Sequence, residues 1–396
     1  MYVIDDKYSI FYDRVSQAIT GRGIECLAFS AIDGSATSSS KSIFVTNVEK
    51  SFDCTKDNEF IGFLKRDKYK KAFLVKYNCK IFGYSTCFNG AVTILELPVK
   101  IDEDTNLGNY YLHTLLELVL HNEPNLPCAS ENTKKLVNLI KKISITNATV
   151  LINGASGTGK EVISNLIHSF SKRREKPLIA LNCAAIPDQM LESILFGHEK
   201  GAFTGAVTSN QGLLRAANTG TILLDEISEM PLNLQSKLLR VIQEKRVMPI
   251  GSSAEVEVDV RIVATTNRNM FDEVKLGKFR EDLFYRLNVF PVNNLSLSDR
   301  TDDIIPIVAH MICKELIENG EIYLVTEDAL SSLGQHTWPG NVRELDNIIQ
   351  RAKILCSQKT ITVSDLIFDT NGNGAQPNTA EILASMFKAN AAGEVV

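Results

Sequence analysis

The stretch that most constrains this chain is Leu151–Glu161, Leu-Ile-Asn-Gly-Ala-Ser-Gly-Thr-Gly-Lys-Glu. A β-rich run from Ala148 to Asn153 leads into it. An apolar helical pattern, Val162, Ile163, Leu166 and Ile167, follows it. Strand, glycine loop, lysine and helix in that order make a phosphate-cradling P-loop. Gly154, Gly157 and Gly159 let backbone N–H groups turn inward, with Ala155, Ser156 and Thr158 between them. The helix N-terminus adds partial positive charge, and Lys160 adds a full one. Glu161 stands where a Ser or Thr hydroxyl would usually reach Mg²⁺, so a metal must lean on other ligands.

A chain of 396 residues is long enough for two or three domains. Its formal charge of −5 excludes a surface that grips nucleic acid over its whole extent. None of the eight cysteines forms a Cys-x-x-Cys pair, and no histidine cluster accompanies them. A zinc site or disulfide framework is therefore not expected, and free thiols fit a reducing, cytoplasmic setting. No apolar run approaches a membrane span, and the N-terminus lacks a signal-peptide layout.

Residues 1–120 read as a small α/β domain. β-like runs fall at Cys26–Ala31, Ser42–Asn47, Ala72–Tyr77 and Ala91–Leu97, and a helix near Tyr110–Leu120 closes the region. The layout resembles a receiver domain of two-component signalling, with Asp5 and Asp6 where a receiver holds its Mg²⁺-binding acids. The rest of that chemistry is absent. The run Ser42–Asn47 ends Thr46-Asn47 with no aspartate to accept a phosphoryl group, and Leu97 precedes Pro98 where receivers carry lysine. The resemblance implies a degenerate receiver that regulates by docking. Two prolines and polar neighbours place a linker at residues 121–130.

After the P-loop, Pro177–Ala184 is a buried strand with a polar Asn182 at its end. Gly220–Glu226, Gly-Thr-Ile-Leu-Leu-Asp-Glu, is a Walker B strand whose end presents two acids at the ligand crevice. Asp225 is placed to hold Mg²⁺, and Glu226 to orient and deprotonate water. Val260–Asn267 is another buried strand, and Asn267 can sense the water or the γ-phosphate. With no Asn-Lys-x-Asp motif, ATP is preferred to GTP. The basic run Ser171–Lys176 reads as a solvated helix end.

Gly201–Ala206 reads Gly-Ala-Phe-Thr-Gly-Ala (Gly201, Ala202, Phe203, Thr204, Gly205, Ala206). It is the signature loop of the bacterial enhancer-binding proteins, AAA+ ATPases that activate RNA polymerase carrying the sigma-54 factor. From about Ala129 to Thr362 the chain resembles that family. The resemblance implies an AAA+ core at 131–294, a parallel sheet sandwiched by helices, and an α-helical lid at 295–368. It implies that the loop contacts sigma-54 and that Asn182 pairs with Glu226 when ATP is absent. It also implies ATP and Mg²⁺ as cofactors and self-assembly into a hexamer from a resting dimer. Flagellar-gene regulators are the branch it looks most like. Phe279–Leu287 matches the family's arginine-finger segment. Arg280 and Arg286, six residues apart, fall on different helix faces. Arg286, with Arg280 beside it, is expected to reach a neighbouring subunit's γ-phosphate.

Trp338–Leu345, Trp-Pro-Gly-Asn-Val-Arg-Glu-Leu, breaks the chain and restarts a helix. Arg343 matches the family's sensor II arginine, which touches nucleotide from the lid. Residues 369–396 read as a linker and short tail, so enhancer DNA would be a partner only if a helix-turn-helix lay beyond Val396. The runner-up function is another AAA+ remodelling ATPase, an unfoldase or helicase relative. Those classes lack the Gly201–Ala206 loop.

Overall fold

The computed structural model describes residues 1–31, 42–49, 51–53, 56–101 and 103–368. The expected tail at 369–396 lies outside them. The N-terminal unit runs β1 (Tyr2–Ile4), α1 (Ser9–Gly21), β2 (Cys26–Ala28), β3 (Ser42–Val48), α2 (Asn58–Arg66), β4 (Tyr69–Lys76), β5 (Gly83–Cys87), β6 (Val92–Glu96) and α3 (Asn106–Val119). Its sheet has the order β2-β1-β3-β4-β6-β5. All neighbours are parallel except β5, which runs antiparallel to β6. The parallel strands follow the doubly wound order in which the chain steps outward from β1 to β2 and then back to β3. Between β4 and β6, where such a unit would place a helix, the chain makes β5 instead.

The central unit comprises α4 (Glu131–Ser144), β7 (Val150–Asn153), α5 (Lys160–Ser169), β8 (Leu178–Asn182), α6 (Asp188–Phe196), α7 (Leu213–Ala216), β9 (Thr221–Asp225), α8 (Leu232–Glu244), β10 (Arg246–Val247), β11 (Val256–Glu257), β12 (Arg261–Thr266), α9 (Met270–Lys275), α10 (Glu281–Leu287) and β13 (Phe290–Asn293). The main sheet is parallel, in the order β13-β7-β12-β9-β8. β7, β9 and β12 are buried along nearly all of their length, as strands covered on both faces are. All five strands therefore end at one edge of the sheet, and that edge carries the site.

The last unit contains α11 (Ile304–Asn319), β14 (Leu324–Val325), α12 (Glu327–Gln335), α13 (Asn341–Leu355) and β15 (Thr360–Ile361). It is joined to the N-terminal unit by a single apolar core that runs from Tyr2 through α3 to α11 and Trp338. α3 explains this. It is buried on nearly every side, with the polar His113, Thr114 and Glu117 as well as Tyr110, Leu112, Leu115, Leu116 and Leu118 out of solvent. A helix buried all round must be covered all round, and α1, α11 and α12 cover it.

The expected linker is packed in place. Leu126 and Cys128 are buried, and Asp303 accepts hydrogen bonds from the N–H groups of Ala129 and Ser130, both at 2.7 Å. The Ser171–Lys176 stretch is likewise not merely solvated. Arg173 reaches the carbonyls of Gly220 and Asp259 and the Asp259 carboxylate. Among the described residues no helix is long and apolar enough to cross a membrane.

Candidate nucleotide site and its outward loop

The turn after β7 begins α5 with Gly159 in the left-handed region, φ 95°. Gly157 is also left-handed, φ 76°, and a Cβ there would stand 2.5 Å from the Gly340 carbonyl. Lys160 is buried at the base of this turn, its Nζ donating to the Gly154 carbonyl at 2.9 Å and the Ala155 carbonyl at 3.3 Å. Thr158 Oγ1 closes the turn onto the same Ala155 carbonyl. Glu161 lies in the first turn of α5.

β12 lies between β7 and β9, so its end separates the phosphate loop from the two acids. Thr265 Oγ1 donates to Asp225 Oδ1, and the backbone N–H of Asn267 donates to Glu226 Oε2 at 3.1 Å. Glu226 is left-handed, φ 50°, which turns its side chain off the strand direction. Its Oε1 lies 3.4 Å from Lys160 Nζ. Lys160, Asp225, Glu226, Asn182 and Asn267 thus converge at one sheet edge.

One expected pairing differs. Asn182 donates from Nδ2 to Asp225 Oδ2 at 3.0 Å, not to Glu226. The register is the reason. Asn182 faces Asp225 across β8 and β9, while Glu226 sits one residue past the strand. Asn182 Oδ1 is held by the N–H of Ala184.

The lid unit closes over the phosphate loop from the other side. The Gly157 carbonyl accepts from the N–H of Val342 at 2.9 Å, and Asn341 Nδ2 donates to the Ser156 carbonyl at 3.1 Å. Arg343 is exposed and reaches Ser156 Oγ at 2.9 Å. Sequence reasoning missed two further residues here. Asn294 and the buried Arg300 both donate to the Thr158 carbonyl, at 2.9 and 2.7 Å. Nothing local in the sequence marks them, since their role depends on how the lid returns to the loop.

Arg280 is the residue before α10, not inside it, so the two arginines do not share a helix. Arg280 forms a two-pronged pair with Asp282 at 3.0 and 2.7 Å. Arg286 is exposed and has no ion-pair partner among the described residues. Neither is bonded to the phosphate loop of its own chain among the described residues.

Gly201–Ala206 forms a turn closed by the Gly201 N–H on the Ala206 carbonyl at 2.8 Å. Ala206 is buried and Phe203 is 45% exposed, its ring edge-on to His198 at 5.0 Å. The loop base leans on the segment after β10, where Glu199 and Ile250 exchange a backbone hydrogen bond and Gly251 abuts Ala202.

The donor set at Asp225 suits Mg²⁺. It offers hard carboxylate oxygens held by neutral donors, and Mg²⁺ takes one or two carboxylates plus phosphates and water. No cluster of three metal-ligating side chains exists among the described residues, so the phosphates must supply the remainder.

P-loop, Walker acids, an interposed strand and a clamping lid define an AAA+ P-loop ATPase. Residues 126–293 match the sigma-54 interaction domain and residues 298–382 the AAA+ ATPase lid domain. The response regulator protein FleR of Pseudomonas aeruginosa is 49% identical over 263 residues, covering 64% of this chain and 55% of FleR. The regulatory protein AtoC of Escherichia coli is 50% identical over 239 residues, covering 59% and 52%. The chain spans about half the length of the curated relatives it matches. The crystal structure of NtrX from Brucella abortus in complex with ADP superposes with a TM-score of 0.58 at 26% identity, covering 98% of this chain and 89% of NtrX. The chain therefore carries a sigma-54 interaction domain followed by an AAA+ ATPase lid domain.

Proposed function

We propose that this chain is an ATP-driven activator of RNA polymerase carrying sigma-54. The observation that carries the reading is the half-exposed Phe203 at the tip of the Gly201–Ala206 loop, within a sigma-54 interaction domain. A large exposed aromatic is costly in water unless a partner covers it. Nothing in the comparisons favours an unfoldase or helicase relative.

The residues divide the work as follows. Lys160 and the loop N–H groups from Gly154 to Glu161 hold the phosphates of ATP. Asp225 would hold Mg²⁺, which when bound neutralises charge on the phosphates. Glu226 takes the proton of the attacking water, and Asn267 fixes Glu226 through its backbone N–H. Asn182 holds Asp225 in place. Arg343 carries nucleotide occupancy into the lid through Ser156. Exposed Arg286, with Arg280 beside it, completes the site of the next subunit in a ring of six copies, assembled from a resting dimer. The N-terminal unit, a degenerate receiver, acts by docking on the lid. Flagellar genes are the regulatory setting that the sequence resemblance implies, and the similar FleR is a response regulator protein.

The test separates chemistry from coupling. Phe203→Ala and Thr204→Ala should keep basal ATP hydrolysis and lose binding to sigma-54 in the presence of ADP with aluminium fluoride. A variant that still traps sigma-54 and supports open-complex formation removes the loop from the mechanism. Loss of ATPase activity in both would make Phe203 a packing residue.

A further inference from the structure

In an open α/β sheet, ligands bind outside the carboxyl ends of the strands where the winding reverses. In the N-terminal unit that point lies between β1 and β3. A cavity of about 730 Å³ opens there, a volume in the range of small-molecule sites. It is not the receiver chemistry its position would suggest, because Thr46 and Asn47 are the last two residues of β3 before its terminal Val48 and buried Leu97 follows β6.

Three features of the lining define a ligand. The first is charge. Asp5 accepts from Thr46 Oγ1 at 2.7 Å and from the Lys7 N–H at 3.0 Å, and Asp6 accepts from the Ser30 N–H and hydroxyl. All these donors are neutral, and neither aspartate has an ion-pair partner among the described residues. The Ser30 hydrogen bonds hold the Asp6 carboxyl below the usual aspartate range. Among the described residues Asp5, Asp6 and Glu49 share the lining with one cation, Lys7, whose ammonium lies over the Tyr8 ring at 5.6 Å. Lys100 lines an adjoining cavity that shares Tyr8, Asn47, Val48 and Glu49 with this one.

The second feature is an aromatic wall. Phe44 and Phe63 meet edge-on at 5.3 Å, and Phe29 and Phe63 at 5.5 Å. Aromatic faces attract cations that have left bulk water. The third is Asn47, a residue of the same lining whose Oδ1 is buried with no hydrogen-bond partner among the described residues. An acceptor left unpaired in that way costs free energy until a donor arrives.

We infer that this crevice binds a protonated organic amine, its ammonium group set among Asp5, Asp6 and Asn47 Oδ1 and its hydrocarbon body against Phe44 and Phe63. A quaternary ammonium has no N–H to give Asn47. An anion meets three carboxylates. A bare divalent cation leaves the aromatic wall unused, and no three-ligand cluster exists here among the described residues. The inference is independent of the ATPase reading, since it concerns another domain and needs no turnover.

The test is calorimetric titration of the full chain with three probes, 2-phenylethylammonium, hexylammonium and 4-aminobutylammonium chlorides. At least one should bind saturably, one per chain. 2-Phenylethanol should bind at least about tenfold more weakly than its ammonium counterpart. Asp6→Asn and Asn47→Leu should each weaken the amine at least about tenfold, with circular dichroism unchanged. Asp6 is partly exposed, so its variant keeps the fold even if Asn47→Leu does not. The inference is overturned if none of the three ammonium probes saturates. It is equally overturned if the alcohol binds as well as the amine, if both variants bind as the wild type does, or if MgCl₂ alone titrates the site and excludes the amines.

Discussion

Replacing Glu117 by leucine tests how the N-terminal unit is fastened to the lid. Glu117 of α3 is buried between Arg22, itself fully buried, and His310 of α11. Arg22 also donates to Asn125 Oδ1 at 3.0 Å and reaches His113 Nδ1 at 3.1 Å. Burial alone would raise the Glu117 carboxyl, but the Arg22 charge and the His310 and Arg22 hydrogen bonds outweigh it and hold it below the usual glutamate range. Burial, reinforced by the Arg22 charge, holds His113 well below its ordinary value, so it stays neutral and Nδ1 can accept from Arg22. Removing one partner of a buried pair leaves an uncompensated charge and costs about 3–5 kcal/mol, roughly two to four decades in an equilibrium constant. Trp338, the only tryptophan in the chain, is buried in the same core and reports its loss by fluorescence during urea unfolding. The Glu117→Leu unfolding free energy should fall by that amount, lowering the urea midpoint in proportion, and Arg22→Met with Glu117→Leu should recover most of it, because an apolar pair leaves no stranded charge. Both pKa shifts are downward, so their stabilisation is complete above the unfolded pKa and fades as pH falls. The His113 part fades as pH drops below 6.5, and the Glu117 part below 4.5. A single-variant loss under about 1 kcal/mol, or a double variant no better than the single, would refute the reasoning.

Two further outcomes address the nucleotide site. Lys160→Ala should abolish binding of a fluorescent ATP analogue, whereas Glu226→Gln should bind it and lose about 10²–10⁴-fold in phosphate release. Arg286→Ala should lose about 10³-fold or more of the turnover of the assembled ring while each subunit still binds nucleotide; full turnover in the assembled state would show that sites are not shared.

The nucleotide site was legible because a parallel sheet puts its chemistry at strand ends, and strand ends are visible as apolar runs closing in polar residues. Asn182, Asp225, Glu226 and Asn267 stand at such ends or one residue past them, and Lys160 opens the helix that follows the glycine loop after β7. What escaped depended on register or on distant chain segments. That Asn182 meets Asp225 follows only from the pairing of β8 with β9. Asn294, Arg300 and Asn341 act by the path of the lid, which no local pattern encodes. β5, Gly-Tyr-Ser-Thr-Cys, is mostly exposed and lacks the apolar run that marks a buried strand. The segment at 121–130 has a linker's composition, yet Leu126 and Cys128 within it are buried.

The lid stands between the N-terminal unit and the phosphate loop, and hydrogen bonds cross both boundaries. On one side Glu327 of α12 accepts from the N–H groups of Asn106 and Leu107, at 3.1 and 2.7 Å, and so caps the start of α3. A carboxylate at a helix N-terminus satisfies orphan donors and favours the helix dipole. On the other side the start of α13 grips Ser156 and Gly157. α11 joins these ends through the shared core. A shift of α3 therefore has a packed route to the residues that hold phosphate, though a route transmits only if the lid has two arrangements for both sites to bias. The Glu117→Leu variant supplies that measurement as a second readout. Glu117 touches no nucleotide residue, so if docking of the N-terminal unit sets the lid, steady-state ATP turnover should change in this variant at protein concentrations where the ring is assembled. Turnover equal to that of the wild type, with the urea midpoint lowered, would mean that the lid holds Gly157 regardless of what is docked behind it.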